Sequence, residues 1–166
     1  MTETFELKPI SKQGIVSAIK KAEQYRLLND PDAAESICLD ILEIDPGNEK
    51  ARIILILAIT DQFGTAGAPS ASSIRKHLPK LSSEYDRKYY AGLIAEREAR
   101  AFLGRGPARV FAYQGYREAM ELYDQAAELS EADSDDAILR WNSCARVIKR
   151  KNLKPRPTDD AELPLE

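Results

Sequence analysis

IVSAIKKAEQYRLLNDPDAAESICLDILEIDPGN, residues 15–48, reads as two helices joined by a tight turn. The first starts from a good cap at Ser11 and spaces Ile15, Ile19, Ala22, Tyr25 and Leu28 along one stripe. Asn29, Asp30 and Pro31 interrupt it, because proline has no backbone N–H to donate and disfavours helix in the residue before it. Pro31 then suits the first turn of a second helix, 31–44, whose apolar face holds Ala34, Ile37, Cys38, Ile41 and Leu42. Asp45, Pro46, Gly47 and Asn48 close the unit. Two such stripes bury each other only in part, so the hairpin needs neighbours to be stable.

On these residues the stretch resembles a tetratricopeptide repeat, a helical hairpin of about 34 residues with small residues where its helices touch. Ala22 takes the small slot of the first helix, Tyr25 the aromatic slot after it, Ala34 the small slot of the second, and Pro46 the exit. Ala18, Lys21 and Cys38 stand where Trp, Leu and Phe are usual. A second segment, GYREAMELYDQAAEL at 115–129, resembles the second helix of such a repeat, with Tyr116, Ala119, Tyr123 and Ala126 in the expected slots and Glu131 in place of the exit proline.

Between these segments the pattern loosens. The helix predicted over 49–63 is apolar on nearly every side from Ile53 to Ile59, which implies neighbours on both flanks. Residues 64–73, GTAGAPSASS, read as an inserted flexible loop, followed by a short helix over about 72–78 that Pro79 ends. Ser83 and Asp86 have capping-box spacing and open a helix to about Leu103. On it Tyr85, Tyr89 and Tyr90 lead into Ala91, Ile94, Ala95 and Phe102, and Glu96 with Arg100 reads as an outward i,i+4 pair. Gly104 to Pro107 form a connecting loop; the Gly-x-Gly follows a helix and lacks the Lys-Ser/Thr partner of a phosphate loop. The last helix runs from 133 or 134 to about 151, with Ile138, Trp141, Ala145 and Ile148 on one face and Trp141 as the core anchor of that end.

The expected fold is therefore all-α, with about seven helices. The resemblance implies a right-handed stack of antiparallel helical hairpins, a solenoid of tetratricopeptide type, over residues 11–151, with a degenerate middle repeat. A mobile, Pro-rich polar tail is expected over 152–166.

Composition narrows the function. The 166 residues carry 43% apolar and 31% charged side chains, which suits one globular domain. A net charge of −3 argues against a dedicated nucleic-acid binder. The start of the chain has neither the basic nor the apolar segment of a secretory signal, and the run 53–59 is far shorter than the roughly 20 residues of a membrane span. A cytoplasmic protein with no membrane partner is expected. Cys38 and Cys144 read as small buried hydrophobes rather than a disulfide or metal pair, and the lone His77 lacks the companions of a catalytic set. No enzymatic activity and no cofactor are expected.

The resemblance, closest in character to small bacterial members without assigned activity, implies a concave face lined by the first helix of each pair that receives a segment of another protein. Tyr25, Tyr89, Arg97, Arg140, Asn142 and Arg146 are the candidates for partner contact, since they combine placement on that side with hydrogen-bonding heads. Ile19 and Glu23 in the first helix exclude the basic clamp that grips acidic C-terminal peptides in some relatives. Two alternatives stand beside the adaptor: a self-associating structural subunit, and an anion or nucleic-acid binder that uses the basic cluster Lys149, Arg150, Lys151, Lys154 and Arg156. Acids at Asp159, Asp160, Glu162 and Glu166 follow that cluster and partly cancel it.

Overall fold

A computed structural model describes residues 2–157 of the chain. Ser11 accepts the Gly14 N–H at 3.1 Å and opens a 3-10 turn, Lys12–Gly14, that feeds helix α1, Ile15–Leu27. The turn after α1 is made by Asn29 as much as by Pro31. Asn29 lies in the left-handed region at φ 60°, and the Asp30 N–H donates back to the Tyr25 carbonyl at 2.8 Å, satisfying a carbonyl that the helix end would orphan. Asp30 then caps α2, Pro31–Ile44, by accepting the Ala33 N–H at 3.3 Å, with Pro31 in the first turn. Asn48 caps α3, Glu49–Asp61, in the same way through the Ala51 N–H at 2.9 Å.

Helix α3 is buried on nearly every side. Ala51, Ile54, Leu55, Ile56, Ala58 and Ile59 are all in the core, and α1, α2, the short helix α4 (Ala71–Arg75) and α5 (Glu84–Leu103) pack around it. Full burial of a Leu or Ile side chain stabilises by about 1.5–3 kcal/mol, so this helix anchors the N-terminal half. The inserted segment is shorter than expected, because Ser70 accepts the Ser73 N–H at 3.2 Å and starts α4 at Ala71. A 3-10 turn, Leu78–Lys80, carries Pro79, and Ser83 caps α5 through the Asp86 N–H at 3.2 Å.

Helices α5 and α6 (Ala112–Leu129) approach closely because glycine stands on each side of their contact. A Cβ on Gly92 would lie 2.8 Å from the Tyr123 ring, and one on Gly115 would lie 2.8 Å from the Ala99 Cβ. Helix α6 starts three residues before the expected Gly115, since the 3-10 segment Gly106–Phe111 runs straight into it. Helix α7, Asp136–Arg150, starts later than expected and has no side-chain cap.

Among the described residues the chain is all-helical, with seven α-helices. Helices α1, α3 and α5 touch in series; α2 packs on α1 and α3, α4 on α3 and α5, and α6 on α5 and α7. Two apolar clusters divide at α5, where Ile94 belongs to the N-terminal one and Ala95 and Ala99 to the C-terminal one.

The buried face of α7 differs from the expected one. Ala137 and Cys144 are its core residues, Ile138 is 48% exposed, and Trp141 is a half-buried flank whose Nε1 donates to Asp124 at 3.2 Å. The helix is turned so that Arg140, expected outside, faces α5. Its end repeats the device of α1: Asn152 sits at φ 50°, the Leu153 N–H donates to the Ile148 carbonyl at 3.0 Å, and Leu153 folds into the core. The packed chain thus extends past residue 151. The rest of the predicted tail, 158–166, lies outside the described residues.

Candidate functional site

A ladder of charged side chains crosses the helices that carry odd numbers. Arg26 of α1 donates to Asp61 at the end of α3 through Nε at 2.7 Å and Nη2 at 3.3 Å. From the other side Arg97 of α5 reaches the same carboxylate at 2.6 Å, and it also donates to the Thr60 hydroxyl at 2.7 Å and the Leu57 carbonyl at 3.1 Å. One carboxylate thereby ties three helices. Burial lowers the Arg97 pKa, and Asp61 opposes that while Arg140, Arg26 and Arg100 add to it. The guanidinium stays charged in any case.

The second rung is centred on Glu96, which is 1% exposed. Its carboxylate accepts from the Tyr123 hydroxyl at 3.0 Å and from Cys144 Sγ at 3.5 Å, and Arg140 of α7 lies 3.4 Å away. The expected outward pair of Glu96 and Arg100 is therefore corrected: Glu96 lies in the α5–α6–α7 core and its ion pair is with Arg140. The sequence held a signal for this. Gly92 and Ala99, one helical turn to either side, place Glu96 on the stripe of small residues where α6 comes closest. Burial alone would lower the Arg140 pKa, but Glu96 and the Tyr89 hydroxyl outweigh it and raise it. Tyr123 is pushed well above the ordinary phenol range, by burial first and by the Glu96 carboxylate next.

The six candidate contact residues fall into three places. Tyr89, Arg97 and Arg140 come together along the ladder. Tyr89 stacks on Tyr85 at 5.7 Å and meets Tyr90 and Tyr123 edge-on or tilted at 5.1 and 5.8 Å. Tyr25 is half-buried on α1 beside Arg26. Asn142, half-buried, and Arg146, exposed, are one turn apart on a different side of α7 from Arg140.

Sequence reasoning passed over the arginines next to the ladder. Thr60, Asp61, Gly64, Arg97, Arg100 and Arg105 line an open cleft of about 430 Å³ between the end of α3 and the C-terminal half of α5. A neighbouring hollow of about 370 Å³ shares Phe63, Gly64 and Arg105 and adds Phe102. Arg100 and Arg105 are exposed and form no ion pair among the described residues.

Away from this face, Arg52 is 5% exposed and faces a histidine rather than a carboxylate: Nη1 lies 2.9 Å from His77 Nδ1, and Nη2 donates to the Pro46 carbonyl. Arginine only donates, so Nδ1 is the acceptor and the ring proton sits on Nε2. Burial lowers the His77 pKa, with Arg52, Lys80 and Lys76 adding to the shift. Both cysteines are free and buried; burial pushes the Cys38 thiol up to about 12 and raises Cys144 as well. Among the described residues there is no cluster of His, Cys, Asp and Glu that could hold a metal ion, and no helix long and apolar enough to cross a membrane.

No protein-family model, curated protein or solved structure matches this chain.

Proposed function

We propose that this chain is an interaction adaptor built as a tetratricopeptide-like stack of helical hairpins, whose odd-helix face receives a segment of another protein. The supporting observation is the alternation of contacts. Helices α1, α3 and α5 follow one another in direct contact, Glu96 and Arg140 link α5 to α7, and each even helix packs against the two odd helices flanking it in the chain. In such a stack the first helices line one continuous surface. Here that surface carries guanidinium groups, a tyrosine cluster and an open cleft, a mixture of aromatic and Arg groups suited to peptide contact. Its carboxylates are already engaged in holding helices together, which favours binding over acid–base chemistry.

The test is capture of the tagged protein from its native cell, with and without nuclease. One protein enriched in both arms, and weakened at least several-fold by Arg100→Glu with Arg105→Glu, supports the adaptor. Enrichment that disappears with nuclease points instead to the basic end of α7. Self-association has its own observation: Val16, Leu27 and Leu28 are exposed on the first helix, and Ile138 and Leu139 on the last. A mass that rises with concentration, with bait alone recovered, favours that reading.

A further inference from the structure

We propose that the arginine cleft is a binding site for a small ligand that carries a phosphate monoester on a compact apolar body. Positive groups outnumber acids around it. Asp61, the carboxylate of the cleft lining, is already shared by Arg26 and Arg97, so that trio retains one positive charge. Arg100 and Arg105 each add another and form no ion pair among the described residues. The C-terminal ends of α3 and α5 contribute about half a negative charge each, which leaves roughly two positive charges unanswered. A phosphate monoester carries about −1.5 to −2 near pH 7, and its oxygens accept from planar guanidinium groups in pairs. A lone carboxylate would answer only part of that charge.

The cleft is also held in shape. The Arg97 side chain is 14% exposed and is fixed by three hydrogen bonds to the end of α3. Arg100 faces the Tyr116 hydroxyl of α6, whose pKa burial raises and this guanidinium pulls back. Gly64, at φ 90°, turns the chain after α3 onto α5, where a Cβ added to it would lie 3.6 Å from that of Ala101. The adjoining hollow gives the apolar body its place. It shares Phe63 and Arg105 with the cleft and adds Phe102 and Pro69, and its acid, Glu98, is paired with Arg75. At about 430 and 370 Å³ the two spaces have the size of small-ligand sites. The cations at the end of α7 are placed differently: Lys149, Arg150, Lys151 and Lys154 are exposed, and those in its last turn complement the dipole of their own helix. The cleft instead sets its guanidinium groups around a hollow with an aromatic wall. The proposal does not rest on the adaptor reading, and its test needs no partner protein.

The experiment titrates the full chain, 15N-labelled, with phenyl phosphate at constant ionic strength and follows the amide shifts of Gly64, Thr65, Ala101 and Gly104. Saturable shifts with a Kd of about 1 mM or below are expected, with inorganic phosphate at least threefold weaker and benzoate at least tenfold weaker. Arg100→Gln/Arg105→Gln should weaken phenyl phosphate at least tenfold, whereas Lys149→Gln/Arg150→Gln/Lys151→Gln should leave it within twofold. Both cleft arginines are exposed, and an unchanged far-ultraviolet circular dichroism spectrum verifies that the variant is folded. Absence of saturable shifts at these amides up to about 10 mM overturns the proposal, as does affinity that survives loss of the two arginines or falls with the α7 cations instead. Benzoate binding as tightly as phenyl phosphate overturns it too, since charge would then not select the ligand. So does a phosphoserine peptide binding more tightly than phenyl phosphate, since the phosphate would then come from a protein.

Discussion

Replacing Glu96 gives the sharpest test of how this domain is held together. The carboxylate is 1% exposed and contacts Tyr123, Cys144 and Arg140, groups contributed by α6 and α7. In Glu96→Ala the fully buried Tyr123 hydroxyl loses its acceptor, which costs about 1–3 kcal/mol. Removing one side of a buried ion pair costs about 3–5 kcal/mol, and that figure is an upper bound here because the Arg140 side chain is 30% exposed and water relieves it. A loss of about 3–4 kcal/mol is therefore expected for Ala, and about 1–2 kcal/mol for Gln, which keeps an acceptor for Tyr123 but not the charge. Urea unfolding followed by circular dichroism reads this directly. At a slope of about 2 kcal/mol per molar the Ala midpoint falls by roughly 1.5–2 M. Glu96→Leu combined with Tyr123→Phe should be less damaging than Glu96→Leu alone, because no orphaned hydroxyl remains. A Glu96→Ala loss below about 1 kcal/mol would refute the reasoning, since the rung would then contribute no more than a surface pair.

Three further outcomes follow from the packing. Gly115→Ala should lose about 1–3 kcal/mol in the same assay despite alanine's higher helix propensity, because the new Cβ lies 2.8 Å from the Ala99 Cβ between two rigid helices; an unchanged midpoint would mean the contact yields. His77 carries a depressed pKa, so its stability contribution is fully present above the ordinary histidine value near 6.5 and is lost as pH falls through the lower folded value; thermal melts from pH 7 to pH 5 should drop more for the natural chain than for His77→Gln, and equal drops would count against the Arg52 contact. Cys38 and Cys144 should resist a thiol reagent at pH 8 in the native protein and react fully in denaturant, whereas prompt native labelling would show that either helix opens readily.

The local devices were legible in the sequence. Ser11 and Ser83 cap where they were expected to, and Asp30 and Asn48, read only as turn residues, cap as well, because capping depends on a side chain and a backbone amide only a few residues apart. The bounds of α2 and the burial of α3 were equally readable, since Pro31 fixes one helix start and an all-round apolar helix requires neighbours. Departures came where distance along the chain mattered. Arg140 reads as a solvent-facing cation on α7, yet it turns toward a carboxylate 44 residues earlier that itself reads as exposed. Asp61 gives no local sign that it joins Arg26 and Arg97. The sequence by itself determined an all-helical chain and the places where its helices begin and turn, because those follow from backbone sterics and local hydrogen bonds. Only the tertiary structure decided which charges become internal ties and which arginines are left facing the cleft, because that depends on the rotation of each helix against partners brought close by glycine and alanine.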